Sequence, residues 1–246
     1  MPVNLSAKDR IVLPLDVGSF DEAKATIRKL KDGVGLFKVG LTLFVKEGKR
    51  LLEQLQDEVG GGRIFLDLKF HDIPETVGHA SSAVASFGVR FLTVHASDGE
   101  RILKAAVAAM PEGSQVLGIT VLTSLAESEL RDLGIAMPVK ERVLALAKVA
   151  GRAGCGGIVC SGLEAGDVKQ ACGRDFLVVT PGIRPAWTQV PGDDQRRVMT
   201  PGEAIRCGAD YVVVGRPIYT ASDPRGAAEK VAEEIEAAFQ RPSTKP

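Results

Sequence analysis

Four cysteines stand in 246 residues, and Cys155, Cys160, Cys172 and Cys207 form no C-x-x-C pair and have no histidine near them in sequence. That spacing suggests neither a zinc site nor a disulfide framework, and leaves buried free thiols of a reducing cytoplasm as the default. No apolar run reaches the ~20 residues of a membrane span. Met1 to Arg10 is short and polar, so a signal peptide is not expected there. Lys plus Arg number 31 and Asp plus Glu also 31, so the net charge is zero. A chain without excess charge carries no electrostatic footprint for nucleic acid or an anionic membrane. What remains, 45% hydrophobic and 25% charged, is ordinary globular material. No linker or change of composition divides it, and no Gly-rich phosphate turn follows the first apolar stretch, where Asp16-Val17-Gly18-Ser19 stands instead.

Short apolar runs alternate with helical periodicities along the whole chain. Strands are expected at 11–16, 35–40, 64–69, 91–95, 116–121, 157–160, 176–179 and 211–214. Helices are expected after each of the first six and after the last: from a Ser19 cap to about Lys31, through the apolar positions Leu41 to Leu55, at 73–87, 98–110, 124–132 and 138–151, after Ser161, and within 221–240. Nearly continuous apolar strands belong to parallel sheets covered by helices. Eight such units in about 250 residues fit a single (β/α)₈ TIM barrel domain over residues 1–246. A doubly wound open sheet is the alternative, and it usually carries the phosphate turn missing here. The tail from Arg241 to Pro246 reads as frayed.

The third unit, Ile64-Phe65-Leu66-Asp67-Leu68-Lys69-Phe70-His71-Asp72-Ile73-Pro74-Glu75-Thr76, stands out because charges gather at the end of an apolar strand. A two-residue period sends Asp67 and Lys69 to one face, about 7 Å apart along it. Burying that acid and base is costly unless they pair. Asp72 and Glu75 have the spacing of a capping box, with Pro74 in the first turn. Two plainer readings stand beside a catalytic one: a structural ion pair for Asp67 and Lys69, and a helix N-cap for Asp72. Barrel chemistry sits at strand carboxyl ends, where Asp16, Lys38, Asp67, Lys69, Asp72, His95, Thr123 and Ser124 fall. Lys38, Asp67, Lys69 and Asp72 alternate in sign. An ammonium between carboxylates suits a proton donor rather than a Schiff-base nucleophile, which must shed its proton. His95 reads as a core or network histidine, and Ser124 with Glu127 as another capping box.

Barrels often bind phosphate with the loops after strands seven and eight. Here these are Thr180-Pro181-Gly182-Ile183-Arg184-Pro185 and Gly215-Arg216-Pro217-Ile218. Pro217 suits a short helix start, and Arg216 offers a fork of donors; the plainer reading is a glycine turn with a solvated arginine. Residues 182–197, rich in Pro, Gly and polar side chains, read as a lid loop, on which Trp187 is a surface aromatic.

With these residues assembled, Asp67-Leu68-Lys69-Phe70-His71-Asp72-Ile73-Pro74 resembles the D-x-K-x-x-D-I-P signature of the orotidine 5′-phosphate decarboxylase family. Leu13-Pro14-Leu15-Asp16, Phe37-Lys38-Val39-Gly40, Val121-Leu122-Thr123-Ser124, Thr180 to Arg184 and Val214 to Pro217 fall in the family's order. D-x-K-x-x-D alone is shared with 3-hexulose-6-phosphate synthase and keto-gulonate-phosphate decarboxylase relatives; the I-P-x-T continuation and the lid are more specific. The resemblance implies cofactor-independent decarboxylation of orotidine 5′-monophosphate to uridine 5′-monophosphate (UMP), the last step of de novo UMP synthesis, by a cytoplasmic homodimer with sites at its interface. It makes Lys69 the proton donor, sets Asp67 against the departing carboxylate, and gives Lys38 and Asp16 the ribose hydroxyls. Asp72 and Thr76 would reach the neighbouring subunit's site, and Ile73 and Pro74 would be substrate-binding. Thr123 and Ser124 would lie by the base. Arg184, Gln195, Gly215 and Arg216 would hold phosphate, Gln195 bridging toward the base, and Pro181 would belong to the substrate site. No metal is implied. A metal-assisted sugar-phosphate aldolase on the same barrel and a non-catalytic nucleotide binder are the competing classes; Mg²⁺ dependence would favour the first, and the intact Lys/Asp array argues against the second.

Overall fold

Eight parallel strands pair in sequence order and close between first and last, making a barrel. The computed structural model describes residues 5–188 and 197–240. The tail 241–246 lies outside them, as do residues 189–196 of the expected lid. In chain order the elements are β1 (Ile11–Pro14), α1 (Phe20–Leu30), β2 (Leu36–Gly40), α2 (Leu41–Glu47), α3 (Arg50–Val59), β3 (Ile64–Phe70), α4 (Pro74–Ala85), β4 (Phe91–His95), α5 (Glu100–Ala109) and β5 (Gln115–Ile119). There follow α6 (Glu127–Asp132), α7 (Val139–Arg152), β6 (Gly157–Val159), α8 (Gly162–Cys172), β7 (Leu177–Thr180), α9 (Pro201–Arg206), β8 (Tyr211–Val213), α10 (Arg216–Tyr219) and α11 (Pro224–Gln240). The barrel expected from the apolar pattern is therefore present. Among the described residues no helix is long and apolar enough to cross a membrane.

Local chemistry explains most boundaries. The Ser19 hydroxyl caps α1 by accepting from the Glu22 N–H, and Ser161 caps α8 by accepting from Leu163. α3 turns Leu51, Leu52, Leu55 and Val59 inward as one stripe, and burying each such side chain is worth about 1.5–3 kcal/mol. Four local expectations need correction. The apolar run from Leu41 is two helices, because Gly48 (φ 67°) breaks it and its N–H closes on Phe44 O at 2.8 Å. The N-cap of α4 is Ile73, not Asp72; Asp72 instead accepts from the Ile73 N–H at 2.6 Å, one residue before the helix. At α6 the cap is Ala126, whose N–H donates to Glu129 Oε2 at 2.8 Å, since Ser124 still belongs to the preceding turn. Finally, α9 lies between β7 and β8 where no helix was expected. It opens with a full capping box, Thr200 with Glu203, and with Pro201 in its first turn.

The strand alternation builds a layered interior. Val12, Leu36, Phe65, Phe91, Leu117, Val179 and Tyr211 form one cluster inside the barrel. Phe65, Phe91 and Tyr211 stack edge to face at 5.7 and 5.3 Å. Two residues further along the same strands come Lys38, Asp67 and Thr93. The same period that fills the floor with apolar rings thus sets polar groups above it, at the strand carboxyl ends. Two larger cores lie between the sheet and the helices.

Candidate active site

A cavity of about 750 Å³ opens above this aromatic floor. Asp16, Lys38, Asp67 and Lys69 line one side, Thr123 and Ser124 another, and Pro181, Arg184, Gly215 and Arg216 a third. Ten of the residues named from sequence therefore share one chamber. Asp67 is its centre, only 7% exposed. Its Oδ2 receives Lys69 Nζ at 2.9 Å and Lys38 Nζ at 3.3 Å, and its Oδ1 accepts from the Thr93 hydroxyl at 3.0 Å. Burial alone would raise the Asp67 carboxyl; the Lys38 and Lys69 ammoniums and the hydrogen bonds from Lys69 and Thr93 outweigh it and hold the group below the usual carboxylate range. Asp16 adjoins the array: a point one methyl above Gly40 lies 3.4 Å from Lys38 Nζ and 3.6 Å from Asp16 Oδ1.

Lys69 departs from the regular strand that the alternation implied. Its φ is +52°, a left-handed backbone found at no other non-glycine among the described residues. The cause lies in the register of β3 on β4. Leu66 pairs with Leu92 and Phe70 with Val94, so residues 67–69 of one strand face Thr93 alone on the other. The surplus makes a bulge, and strained backbones of this kind gather at working sites.

The residues expected from the sequence to hold phosphate come from two turns. Gly215 precedes α10, and a side chain there would strike the Pro14 ring at 2.9 Å, so this close approach requires glycine. The expected lid begins in an ordered fashion: Ile183 pairs with Met199, the Arg184 N–H donates to Met199 O at 2.9 Å, and the Met199 N–H donates to Gly182 O at 3.3 Å. Arg197 pairs with Glu164 of α8, which is buried. The loop's described ends are thus tied to each other and to the barrel, rather than structureless as its composition suggested. Gln195 and residues 189–196 as a whole lie outside the described residues.

Asp72, Ile73, Pro74 and Thr76 do not line the cavity. Asp72, Ile73 and Thr76 are exposed, Ile73 by 61%. His95 is also outside the cavity wall, half-buried with its ring against His71, and burial lowers its pKa ahead of all other influences. This agrees with a network histidine. Trp187 is exposed and stacks with the Lys230 ammonium at 5.7 Å.

Sequence reasoning missed Thr93, Cys160 and Tyr219. Cys160 lines the chamber, but burial pushes its thiol up to about 12, which makes it a neutral wall and not a nucleophile. Tyr219 lines it beside Gly215, its hydroxyl pushed upward by burial first and then by Asp16. The signal for Tyr219 was its position one turn after Gly215; Thr93 was visible only as one polar residue inside an apolar strand. Among the described residues no group of three His, Cys, Asp or Glu side chains is arranged to hold a metal ion.

Residues 9–231 match the model of the orotidine 5′-phosphate decarboxylase / HUMPS family. The orotidine 5′-phosphate decarboxylase of Syntrophotalea carbinolica is 44% identical, over 96% of this chain and 98% of its own length. That of Desulfosudis oleivorans is 47% identical, over 95% of each. The crystal structure of orotidine 5′-phosphate decarboxylase from Lactobacillus acidophilus superposes with a TM-score of 0.79 at 37% identity, covering 92% of this chain and 98% of that one.

Proposed function

Since this chain belongs to the orotidine 5′-phosphate decarboxylase / HUMPS family, we propose that it converts orotidine 5′-monophosphate to UMP and carbon dioxide, closing pyrimidine nucleotide synthesis without a cofactor. The observation that carries this reading is the Lys38–Asp67–Lys69 array, buried at the strand carboxyl ends and open to the cavity.

The reaction breaks the bond between the pyrimidine ring and its carboxylate, and leaves the electron pair on the ring carbon. Lys69 delivers the proton that this carbon needs. An ammonium fixed beside the developing carbanion stabilises charge where it forms. Asp67 keeps that ammonium aimed, and its own negative charge opposes the substrate carboxylate, an opposition relieved as carbon dioxide leaves. Lys38, the second cation on Oδ2, and Asp16 hold the ribose hydroxyls. The aromatic floor excludes water and strengthens every charge interaction above it. Thr123 and Ser124 border the base, while Pro181, Arg184, Gln195, Gly215 and Arg216 receive the phosphate, with 182–197 as the lid of a single domain. Lys69, Asp67, Lys38 and Asp72 form the catalytic set.

The same reading makes the enzyme a homodimer in which Asp72, Thr76, Ile73 and Pro74 serve the neighbouring site. Support comes from their absence from the cavity of their own chain and from the exposure of three apolar side chains, Leu41 and Val45 in the helix after β2 and Ile73 in the turn after β3. Four free cysteines agree with work in the cytoplasm. The direct test is the fall in orotidine absorbance on adding the purified protein to orotidine 5′-monophosphate, with and without a chelator. Turnover in both supports the reading. Turnover that vanishes with chelator and returns with Mg²⁺ transfers it to metal-assisted chemistry, and no turnover in either rejects it.

A further inference from the structure

Thr93 is fully buried, does not line the cavity, and yet touches both halves of the charged pair. Its Oγ1 accepts from the Lys69 backbone N–H at 2.9 Å and donates to Asp67 Oδ1 at 3.0 Å. The direction of this relay is fixed at both ends. An amide can only donate, and a carboxylate held ionised can only accept. The place in the fold explains why a hydroxyl stands here. Across the bulge three residues of β3 face Thr93 alone, so the Lys69 N–H takes a side-chain oxygen at the point where the regular ladder is interrupted. The same N–H belongs to the residue with the left-handed φ. A valine at 93 would fill almost the same volume and suit a strand equally well, but it would leave the Lys69 N–H and Asp67 Oδ1 without their shared partner.

We infer that Thr93 is a positioning residue of the reaction: its hydroxyl holds Lys69 in the left-handed bulge and turns the Asp67 carboxylate so that Oδ2 faces both ammoniums. The inference deepens the decarboxylase reading and rests on it for its kinetic arm. Thr93 touches no substrate; it sets where the proton donor stands. Because chemistry is more sensitive than binding to the aim of a donor, its loss falls on kcat rather than on the affinity for product.

The test compares Thr93→Val and Thr93→Ser with the parent enzyme. The expected result is that Thr93→Val lowers kcat about 10- to 100-fold, the cost of misplacing a reacting group by a fraction of an ångström to an ångström. Its dissociation constant for UMP, measured by titration calorimetry, should stay within about twofold, the mark of an interaction that acts only in the transition state. Thr93→Ser, which restores the hydroxyl, should recover most of the rate even if its melting temperature remains lower. Amide exchange gives an arm that does not depend on the reaction: in Thr93→Val the Lys69 amide should exchange about tenfold faster while those of Leu66 and Leu92 are unchanged, a local opening rather than global loss. Rates of both variants that merely follow their melting temperatures would overturn the inference, as would a Lys69 amide equally protected in Thr93→Val. If the parent enzyme does not act on orotidine 5′-monophosphate, the decarboxylase reading fails, and the exchange result still decides whether Thr93 holds the bulge.

Discussion

Replacing Lys69 with alanine and, separately, with glycine separates what its ammonium does from what its backbone costs. Both substitutions remove the 2.9 Å contact to Asp67, and both leave the Lys38 contact in place. They differ in how they tolerate a φ of +52°. A left-handed conformation costs an L-residue about 1–2 kcal/mol, and costs glycine nothing. Glycine gives back about 0.4–1 kcal/mol because its unfolded chain has more freedom to lose. The difference leaves Lys69→Gly more stable than Lys69→Ala by about 1 kcal/mol. For a chain of this length that corresponds to a melting temperature higher by about 2–4 °C. Calorimetry at one fixed protein concentration measures it, since any subunit association would make stability depend on concentration. Turnover should be abolished in both variants, while each still binds UMP. A glycine variant no more stable than the alanine variant would show that no strain is stored at this position. Substantial turnover in either would remove Lys69 as the proton donor.

Three further outcomes are expected. In Asp67→Asn the acid limb of the stability profile should flatten. The folded Asp67 carboxyl lies below its ordinary value, so its stabilisation is present above the unfolded pKa and is lost as pH falls below about 4; an unchanged acid limb in urea titrations across that range would contradict the ion-pair account. Arg216→Ala should lower kcat/KM for orotidine 5′-monophosphate by about 2–5 kcal/mol, the scale of a desolvated charge pair, without harming the phosphate-free nucleoside further; equal losses on both substrates would reassign Arg216 to the fold or the base site. Mixing inactive Lys69→Ala and Asp72→Ala subunits should restore activity, because a hybrid dimer with Asp72 acting in trans holds one site with both native residues; no recovery despite confirmed subunit exchange would put Asp72 to work within its own chain.

The legible parts of the sequence were those governed by local rules. Alternation along β2 and β3 sent Lys38 and Asp67 to the interior side, two residues beyond Leu36 and Phe65, and this needs no knowledge of the neighbouring strands. Ser19 and Ser161 announced their helices because a hydroxyl at the cap satisfies an N–H within three residues. The capping box at Thr200 and Glu203 was equally local, and α9 could have been read from it. Gly48 likewise carried the break between α2 and α3 in plain view. Other features were not local. Thr93 owes its role to a register shift between two strands, and nothing in Phe91-Leu92-Thr93-Val94-His95 announces that three residues of β3 stand opposite it. Cys160 and Tyr219 reach the chamber only because the barrel closes.

The same distinction bears on how the charged pair is made. A regular strand already sends residues 67 and 69 to one face, so alternation alone explains why both meet the cavity. It does not explain why Lys69 has a left-handed backbone, since a long lysine side chain can reach a neighbouring carboxylate from an extended strand. What the bulge adds is a separate anchor for the main chain of Lys69: the Lys69 N–H is held by Thr93, and the Lys69 Nζ by Asp67, whose other oxygen is held by Thr93 in turn. These three hydrogen bonds close a ring through backbone, hydroxyl, carboxylate and ammonium. A lysine secured at both its backbone and its tip has little freedom to swing away from Asp67. The strain at Lys69 is the energetic cost of closing that ring, and the burial of Asp67 between two cations is what keeps the ring shut.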